Sequence, residues 1–352
     1  MGGPLSDIHV VDFTCNLPGP YATLLLARQG ARITKVEPPR GDPARHSPGL
    51  FDRVNQGKQA VALDLRDPAD VERAWALLAD ADVLLEGFRP GKMAKLGFGP
   101  EQVMARHPQL VYASLSAYGQ EGPRRDDPGH DLNAQALSGA LSLGGGEPHG
   151  LPLPVADLSS AMDAALRITA ALRARDRTGE GCVIDVAMLD TVSEWAELWG
   201  EGIRLDDMAR DALPEATHLL AGRFFQRLRD EGIHALPHYD TFRCRDGRWL
   251  AVGIVDEGRF WAALCRQLGL PGLDKLPMGA RAALGPSLRR VVALRLRTRS
   301  RRHWLKVLGR AGVPVTPVHD LEEARADPQR AYRRIGWPAV DVDGQPLGPP
   351  PV

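Results

Sequence analysis

The sequence predicts an α/β protein whose first half forms a parallel, doubly wound sheet. Short apolar runs alternate with helical patterns of similar or greater length up to about residue 115, as expected when helices connect parallel strands. The composition is that of a globular chain, with 43% hydrophobic and 25% charged residues. Beyond about residue 195 the alternation stops, which indicates a second region of different architecture.

The predicted strands of the first half are short apolar runs bounded by polar or glycine-containing segments. They lie at residues 8–13, 31–36, 60–63, 82–85 and 111–115. Helical patterns over 18–28, 69–78 and 100–106 separate them. A longer amphipathic helix is predicted over 158–175, and Gly179 is suited to end it.

The second half of the chain predicts a hairpin followed by helices. Residues 239–243 and 249–255 are β-like runs on either side of an Asp-Gly pair, which favours a tight hairpin turn. Residues 258–312 have a helical pattern. Within it, 281–302 contain eight arginines and no acidic residue. This run indicates a solvated helical face, with an anion-binding face as the weaker alternative.

Charge and cysteine content exclude several classes of partner. The chain has 44 Lys and Arg against 44 Asp and Glu, so no overall basic charge predicts a nucleic-acid partner. No apolar stretch is long enough to span a membrane, and no secretory signal pattern opens the chain. The cysteines are too far apart for a zinc site or a disulfide framework, and we expect no metal and a cytoplasmic location. They are Cys15, Cys182, Cys244 and Cys265.

Basic residues at predicted strand ends indicate an anionic ligand. The glycine-rich segments 87–93 and 144–150 lack the spacing of phosphate-binding loops, which argues against a kinase, an NTPase or a fingerprint-bearing dinucleotide enzyme. Each basic residue alone is more often a solvated charge, but together they suit phosphate groups at the edge where open sheets bind ligands. They are Lys35, Arg40, Lys58, Arg89 and Lys92.

Two residues are candidates for acid–base chemistry. His130 follows a Pro-Gly pair and opens a helical pattern, where the helix dipole favours the neutral imidazole that a general base requires. Asp157 directly precedes the apolar helix, at the predicted N-cap position. A structural reading remains open for both: His130 lines or caps a helix, and Asp157 serves as a capping carboxylate.

The ordered motifs around these residues resemble the family III CoA-transferase superfamily (CaiB/BaiF type). This superfamily includes CoA-transferases and the α-methylacyl-CoA racemases. The similar segments extend through nearly the whole chain. They cover residues 17–21, 30–38, 55–58, 62–65, 86–91, 95–97, 116–123, 129–131, 156–157, 177–181 and 239–253.

The resemblance implies a Rossmann-like large domain and a smaller α+β domain in an intertwined, ring-like homodimer. The expected large, CoA-binding domain covers residues 1–200, and residues 316–352 return to it. The small domain would cover 201–315. The implied substrate is an acyl-CoA, with no cofactor beyond its CoA group.

The resemblance also implies two alternative reactions. In the racemase branch, residues matching His130 and Asp157 flank the α-carbon of a 2-methylacyl-CoA and exchange its proton. In the transferase branch, the aspartate is a nucleophile that forms an acyl anhydride. The Gly129-His130-Asp-Leu-Asn133 segment is similar to the racemases, whereas leucine after Asp157 is similar to the transferases. We expect a racemase, with a CoA-transferase as the alternative.

The remaining site residues are also expectations from the resemblance. An acidic residue that supports the catalytic pair would be Asp256 or Glu257. Arg40 would replace an arginine that many relatives have after the second strand. Backbone N–H groups near Gly129 or Asp157 are candidates to stabilise an enolate oxygen. The full set expected to bind CoA is Arg40, Asn55, Lys58, Arg89 and Gly129.

Overall fold

A six-stranded parallel sheet forms the centre of the first unit, as the sequence predicts. The structure is a computed structural model that describes residues 3–143, 147–202, 236–255 and 257–332. The strand order is β3-β2-β1-β4-β5-β6, with every neighbouring pair parallel. The strands are β1 (His9–Phe13), β2 (Arg32–Glu37), β3 (Gln59–Ala62), β4 (Val83–Glu86), β5 (Val111–Ser116) and β6 (Cys182–Ala187).

Eight helices are described between the start of the chain and residue 202. Proline occupies the first turn of several of them, where its missing N–H costs no hydrogen bond. The helices are α1 (Pro18–Arg28), α2 (Pro48–Asn55), α3 (Pro68–Ala79), α4 (Lys92–Lys95), α5 (Pro100–Arg106), α6 (Asp131–Leu137), α7 (Val155–Thr178) and α8 (Met188–Gly202).

Helices cover both faces of the parallel sheet, which explains the continuous apolar runs of its central strands. Successive side chains of β1 point to opposite faces, so Val10 and Val11 enter different cores. Val10 packs in a core shared with α1 and α7. Val11 packs in a second core with side chains of α3 and α5, including Leu78 and Val103.

The strand order places the segments that follow β4 and β5 at one edge of the sheet. Strands β2 and β4 flank β1, so the chain reverses its direction of travel across the sheet there. Ligands of open parallel sheets bind at the carboxyl ends of the strands near such a switch point. The segments that follow β4 and β5 therefore lie where a ligand is expected.

The second unit contains a three-stranded antiparallel sheet of order β7-β8-β9. The predicted hairpin is confirmed, since Tyr239 pairs with Gly253 and Arg243 with Trp249. Its strands are β7 (Tyr239–Arg243), β8 (Trp249–Gly253) and β9 (Val315–Pro317). The described helices are α9 (Gly258–Leu268), α10 (Met278–Ala283), α11 (Gly285–Leu296), α12 (Arg301–Arg310), α13 (Leu321–Arg325) and α14 (Pro328–Tyr332).

The domain boundaries expected from the resemblance differ from the grouping of the described residues at several points, since 142–143, 147–148, 197–200 and 316–332 all belong to the second unit. Residues 3–141 and 149–196 form one compact unit, and 236–255 and 257–332 belong to the other. Residues 316–332 therefore belong to the small unit, because β9 pairs with β8. The rest of the expected division stays a prediction. Several elements had no counterpart among the predicted ones, namely strands β6 and β9 and helices α2, α4, α8, α13 and α14.

No helix in the described ranges is long and apolar enough to cross a membrane. The longest of them, α7, has 24 residues, but it carries Asp163, Arg167 and Arg173 along its length. Charged side chains at such positions are costly in a bilayer interior.

A buried histidine–arginine contact stabilises the second unit. His238 is fully buried, and its Nδ1–H donates to the carbonyl oxygen of Ile254 at 2.8 Å. Its Nε2 accepts a hydrogen bond from Arg281 Nη1 at 3.1 Å. Burial lowers the pKa of His238 to about 4, and the positive charge of Arg281 adds to this effect. Arg281 and Arg301 are themselves buried, so the arginine-rich run is not purely a solvated face.

We expect His238 to make the protein less stable as the pH falls from about 6.5 toward 4, because only the unfolded state then takes up its proton. This proton alone contributes a slope of up to about 1.4 kcal/mol per pH unit. Urea unfolding of the protein and of His238→Gln at several pH values measures the contribution. Identical pH dependence in the two proteins would contradict it.

Candidate active site

His130 lies at the start of helix α6, beside the carboxyl ends of β4 and β5. It is the N-cap residue of this helix, as the sequence predicts, and its side chain is exposed. The side-chain oxygen of Asn133 accepts the backbone N–H of His130 at 3.1 Å. This bond holds the backbone of His130 in place while its imidazole remains accessible.

Asp157 lies in the first turn of α7 and is not the N-cap residue, which corrects the sequence prediction. The helix begins at Val155, and Pro154 is its N-cap. The cap is supplied by another helix: Asp131 Oδ1 accepts the backbone N–H groups of Ala156 at 2.8 Å and Asp157 at 3.3 Å. A carboxylate at a helix N-terminus satisfies free N–H groups and suits the dipole. The side chain of Asp157 is therefore not used as a cap.

The Asp131 carboxylate joins the two candidate catalytic residues through the backbone. It directly follows His130 in the chain and contacts the N–H of Asp157. Its other oxygen accepts a hydrogen bond from Gln135 Nε2, and Gln135 Oε1 accepts the backbone N–H of Leu151 at 3.2 Å. Gln135 is 1% exposed. The starts of α6 and α7 and the segment before α7 are thus held together by one polar chain.

Asp157 has the protonation behaviour of an acid–base residue. Burial raises its pKa to about 7, and the negative charge of Asp131 contributes in the same direction. At neutral pH both the protonated and the ionised forms are therefore populated, as suits a group that takes up and releases a proton.

A second buried acid, Glu86, stabilises the turn beside the site. Burial raises its pKa to about 7, and the negative charge of Asp185 adds to the rise. Glu86 ends β4 and accepts the backbone N–H of Phe88 at 2.8 Å. It thereby fixes the start of the turn over residues 87–91, which lines a cavity next to His130.

This cavity has a volume of about 160 Å³ and connects the β4 and β5 ends to the start of α6. Position 129 requires a glycine, because the neighbouring side chains leave no room for a Cβ atom. A Cβ atom added to Gly129 would lie 2.7 Å from Ala117 Cβ and 2.8 Å from Tyr118 Oη. The lining residues are Gly87, Phe88, Arg89, Pro90, Ser116, Ala117, Tyr118, Arg125, Asp127, Pro128, Gly129 and His130.

Arg40 lies exposed at the end of β2, in a separate surface cavity of about 400 Å³. Arg45 lines the same cavity, but its guanidinium makes two 2.7 Å hydrogen bonds to Glu37. Arg40 has no ion pair within the described part of the chain. Its guanidinium therefore remains accessible to an anion from solution.

Lys58 is placed differently from the expectation that it binds CoA. Its ammonium is buried and contacts four protein oxygens: Asp12 Oδ2, Pro20 O, Thr23 Oγ1 and Asn55 Oδ1. An ammonium has three N–H donors, so these acceptors leave none for a phosphate. Asn55 is likewise buried, and both ends of its side-chain amide are already hydrogen-bonded within the protein. Its oxygen accepts from Lys58, and its nitrogen donates to the Phe51 carbonyl.

The buried lysines instead stabilise the end of β1. Burial alone would raise the pKa of Asp12, but the positive charges of Lys58 and Lys35 outweigh it and lower the pKa to about 2. Lys35 also pairs with Asp42 at 2.9 Å, with both side chains buried. Of the basic cluster predicted from sequence, the side chains of Lys35 and Lys58 are buried in ion pairs, whereas Arg40, Arg89 and Lys92 are exposed.

The two acidic residues of the second unit remain untested as catalytic supports. Asp256 lies outside the described residues. Glu257 precedes α9, and its carboxylate accepts the backbone N–H of Val255 at 3.1 Å. Their expected role stays a prediction.

A parallel α/β fold with paired helix starts, a histidine and an aspartate of raised pKa is typical of an enzyme. Residues 5–345 match the family model described as CoA-transferase family III, so the chain belongs to that family. Its members act on CoA thioesters, and the chain is identified as an enzyme of this class. The superfamily resemblance noted in the sequence is confirmed.

Relatives with different reactions are equally similar to the chain. It is 34% identical to acetyl-CoA:oxalate CoA-transferase of Acetobacter aceti, over 95% of this chain and 85% of that protein. It is also 34% identical to the human α-methylacyl-CoA racemase, over 91% of this chain and 78% of that protein. A CaiB/BaiF family protein of Brucella suis has a similar structure, with a TM-score of 0.78, 28% identity, and coverage of 95% and 88% of the two chains.

Several residues of this site were not singled out in the sequence. Gln135 follows Asp131 by four residues, the spacing of side chains that meet on one face of a helix, and this was an available signal. The contact from Asp131 to α7 spans 25 residues, so no local pattern could indicate it. Glu86, Tyr118 and Arg125 became candidate site residues only because the structure places them in or next to the cavity.

We expect Asp131→Asn to lower the pKa of Asp157 toward its ordinary range, because the variant removes a neighbouring negative charge. Asp131→Ala would also remove the cap of α7 and lower the free energy of unfolding by about 1 kcal/mol. NMR titration of the Asp157 carboxyl carbon measures the first effect, and urea unfolding measures the second. An unchanged Asp157 titration in Asp131→Asn would argue against the electrostatic link.

Proposed function

We propose that the protein racemises the α-carbon of a 2-methylacyl-CoA by proton transfer through His130 and Asp157. The observation that carries this proposal is the pKa of about 7 of Asp157, at a helix start bonded to the residue that follows His130. A two-base racemase requires two proton-transfer groups, one for each face of the α-carbon, and an imidazole and a carboxyl group are side chains that can fill these roles.

In the proposed reaction, one residue removes the α-proton of the thioester, and the electrons of the C–H bond form an enolate. Backbone N–H groups at the starts of α6 and α7 are candidates to stabilise the enolate oxygen. The other residue then gives its proton to the opposite face of the α-carbon. The two residues end in exchanged protonation states, and the reverse reaction restores them.

A CoA-transferase is the second candidate, supported by the names of relatives. These include succinyl-CoA:mesaconate CoA-transferase of Haloarcula hispanica, which is 34% identical over 97% of this chain. In that reaction the Asp157 carboxylate would attack the thioester carbonyl and form an acyl anhydride, while the C–S bond breaks and CoA leaves as its thiolate. A nucleophilic carboxylate must be ionised, and with a pKa of about 7 a large fraction of Asp157 is ionised at neutral pH, so this pKa suits either reaction. The exposed imidazole of His130 at the start of α6 supplies the second proton-transfer group that the racemase alone requires, and this favours the racemase.

The CoA group of the substrate is proposed to contact the exposed arginines at the sheet edge. Arg40 and Arg89 follow β2 and β4, and both side chains are exposed. Gly129 lines the cavity beside His130 and is proposed to contact CoA there. We propose no cofactor beyond the CoA of the substrate. A cytoplasmic location belongs to the same proposal and is supported by four free cysteines.

A homodimer is also proposed, on the basis of apolar side chains exposed on the first unit. Met162 and Leu166 of α7 are 54% and 69% exposed, and Leu153 before the helix is 62% exposed. Neighbouring apolar side chains left in water on one helix indicate an interaction surface.

We expect Leu166→Glu to weaken the dimer, because it places a charge on that surface. Ala174→Glu, at an exposed position of the same helix, is the matched control. Sedimentation velocity over a concentration series measures the dimer fraction of each protein. The proposed dimer surface fails if wild-type protein is monomeric throughout, or if the two variants behave alike.

We expect the protein to introduce deuterium at the α-carbon of one enantiomer of a 2-methylacyl-CoA in D₂O, with loss of optical purity and without an added carboxylic acid. His130→Gln and Asp157→Asn should each reduce the rate by about a hundredfold or more, since each removes a proton-transfer group. Asp176→Asn, at the other end of α7, serves as the control. NMR and chiral chromatography provide the readouts.

The transferase would give a different pattern in the same experiment. Acyl exchange that requires an added carboxylic acid, together with a hydroxylamine-sensitive acyl group on Asp157, would contradict the racemase proposal. Full activity of His130→Gln would contradict it as well.

A further inference from the structure

We propose that Arg125 and Arg89 form an anion subsite beside His130 and that Arg125 contributes to substrate specificity. The subsite would bind an oxyanion of the thioester substrate, either a carboxylate at the end of the acyl group or a phosphate of CoA. The inference rests on the proposed function insofar as the thioester reacts next to His130.

The two arginines reach one cavity from different segments. Arg89 belongs to the turn after β4, and Arg125 belongs to the loop between β5 and α6. The guanidinium of Arg125 faces the Arg89 turn, because a Cβ added to Gly91 would lie 3.9 Å from Arg125 Nη2. Both arginines line the same volume of about 160 Å³ as His130.

The nearby carboxylates do not neutralise these two charges. Asp127 also lines the cavity, but its carboxylate accepts a 3.1 Å hydrogen bond from Arg124. Asp126 Oδ1 lies 3.7 Å from Arg125 Nε and its side chain is 85% exposed, so this contact is long and solvated. Arg89 has no ion pair among the described residues. The cavity therefore keeps an excess of positive charge.

Two arginines that line one small cavity favour a ligand with paired oxygens. The planar fork of an arginine matches carboxylate and phosphate groups in two-point contacts. The phosphates of CoA are separated from the thioester by the whole pantetheine arm. A group in the cavity that touches His130 is close to the reacting carbon, which favours a carboxylate of the acyl chain over a phosphate.

Equilibrium binding to three probes tests the subsite without relying on turnover. The probes are succinyl-CoA, butyryl-CoA and S-butyryl-pantetheine, which differ in the acyl carboxylate and in the phosphates. They are compared on the wild-type protein, Arg125→Gln and Arg173→Gln by isothermal titration calorimetry. Arg173 is the control, since it is an exposed arginine of the same unit and does not line the cavity.

We expect Arg125→Gln to weaken succinyl-CoA binding about tenfold and butyryl-CoA binding less than twofold, because an arginine fork to a carboxylate is lost. Equal weakening of both CoA thioesters, with S-butyryl-pantetheine unaffected, would support the subsite and identify a phosphate as its ligand. Arg89→Gln should act in the same direction, and the double variant should show less than the product of the two losses if one anion is shared.

Equal effects of Arg125→Gln and Arg173→Gln on every probe, or no effect of either, would overturn the proposal. Failure of the racemase proposal is seen separately. In that case succinyl-CoA binding still depends on Arg125, but no deuterium enters the α-carbon of a 2-methylacyl-CoA.

Discussion

The site depends on one interaction, the capping of helix α7 by a carboxylate that belongs to helix α6. Asp131 accepts the first backbone N–H groups of α7 and at the same time places a negative charge near Asp157. The contact thus fixes the position of Asp157, and the charge of Asp131 adds to the rise in the Asp157 pKa that burial causes. Because the cap comes from outside α7, the Asp157 side chain is available for chemistry. Gln135, which is buried, holds the other oxygen of Asp131.

The charges at the carboxyl edge of the sheet divide into structural and accessible groups. Lys35 and Lys58 are buried beside Asp42 and Asp12, where removal of one partner would leave an uncompensated charge. Arg40, Arg89 and Arg125 remain at the surface or in the cavity. The net charge of zero therefore conceals a separation by depth at this edge, where Lys35 and Lys58 are buried in ion pairs and Arg40, Arg89 and Arg125 are accessible.

The buried acids indicate how the site trades stability for chemistry. Burial raises the pKa of both Asp157 and Glu86 to about 7. Ionisation of either group therefore lowers the stability of the folded protein relative to the unfolded chain. Glu86 has a structural use for its acid group, since it receives the N–H of Phe88 at the start of the cavity turn. Asp157 bonds to no such turn, which is consistent with the role in proton transfer that we propose for it.

The sequence by itself determined the parallel sheet, the hairpin, the family and the two candidate residues His130 and Asp157. Strands buried on both faces and residues in ordered motifs are local patterns, so they are visible without coordinates. Only the tertiary structure decided that Asp131 caps α7, that Lys58 is buried, and that Arg125 shares a cavity with Arg89. Each of these depends on contacts between residues distant in the chain, and charge alone does not show whether a side chain faces protein or water.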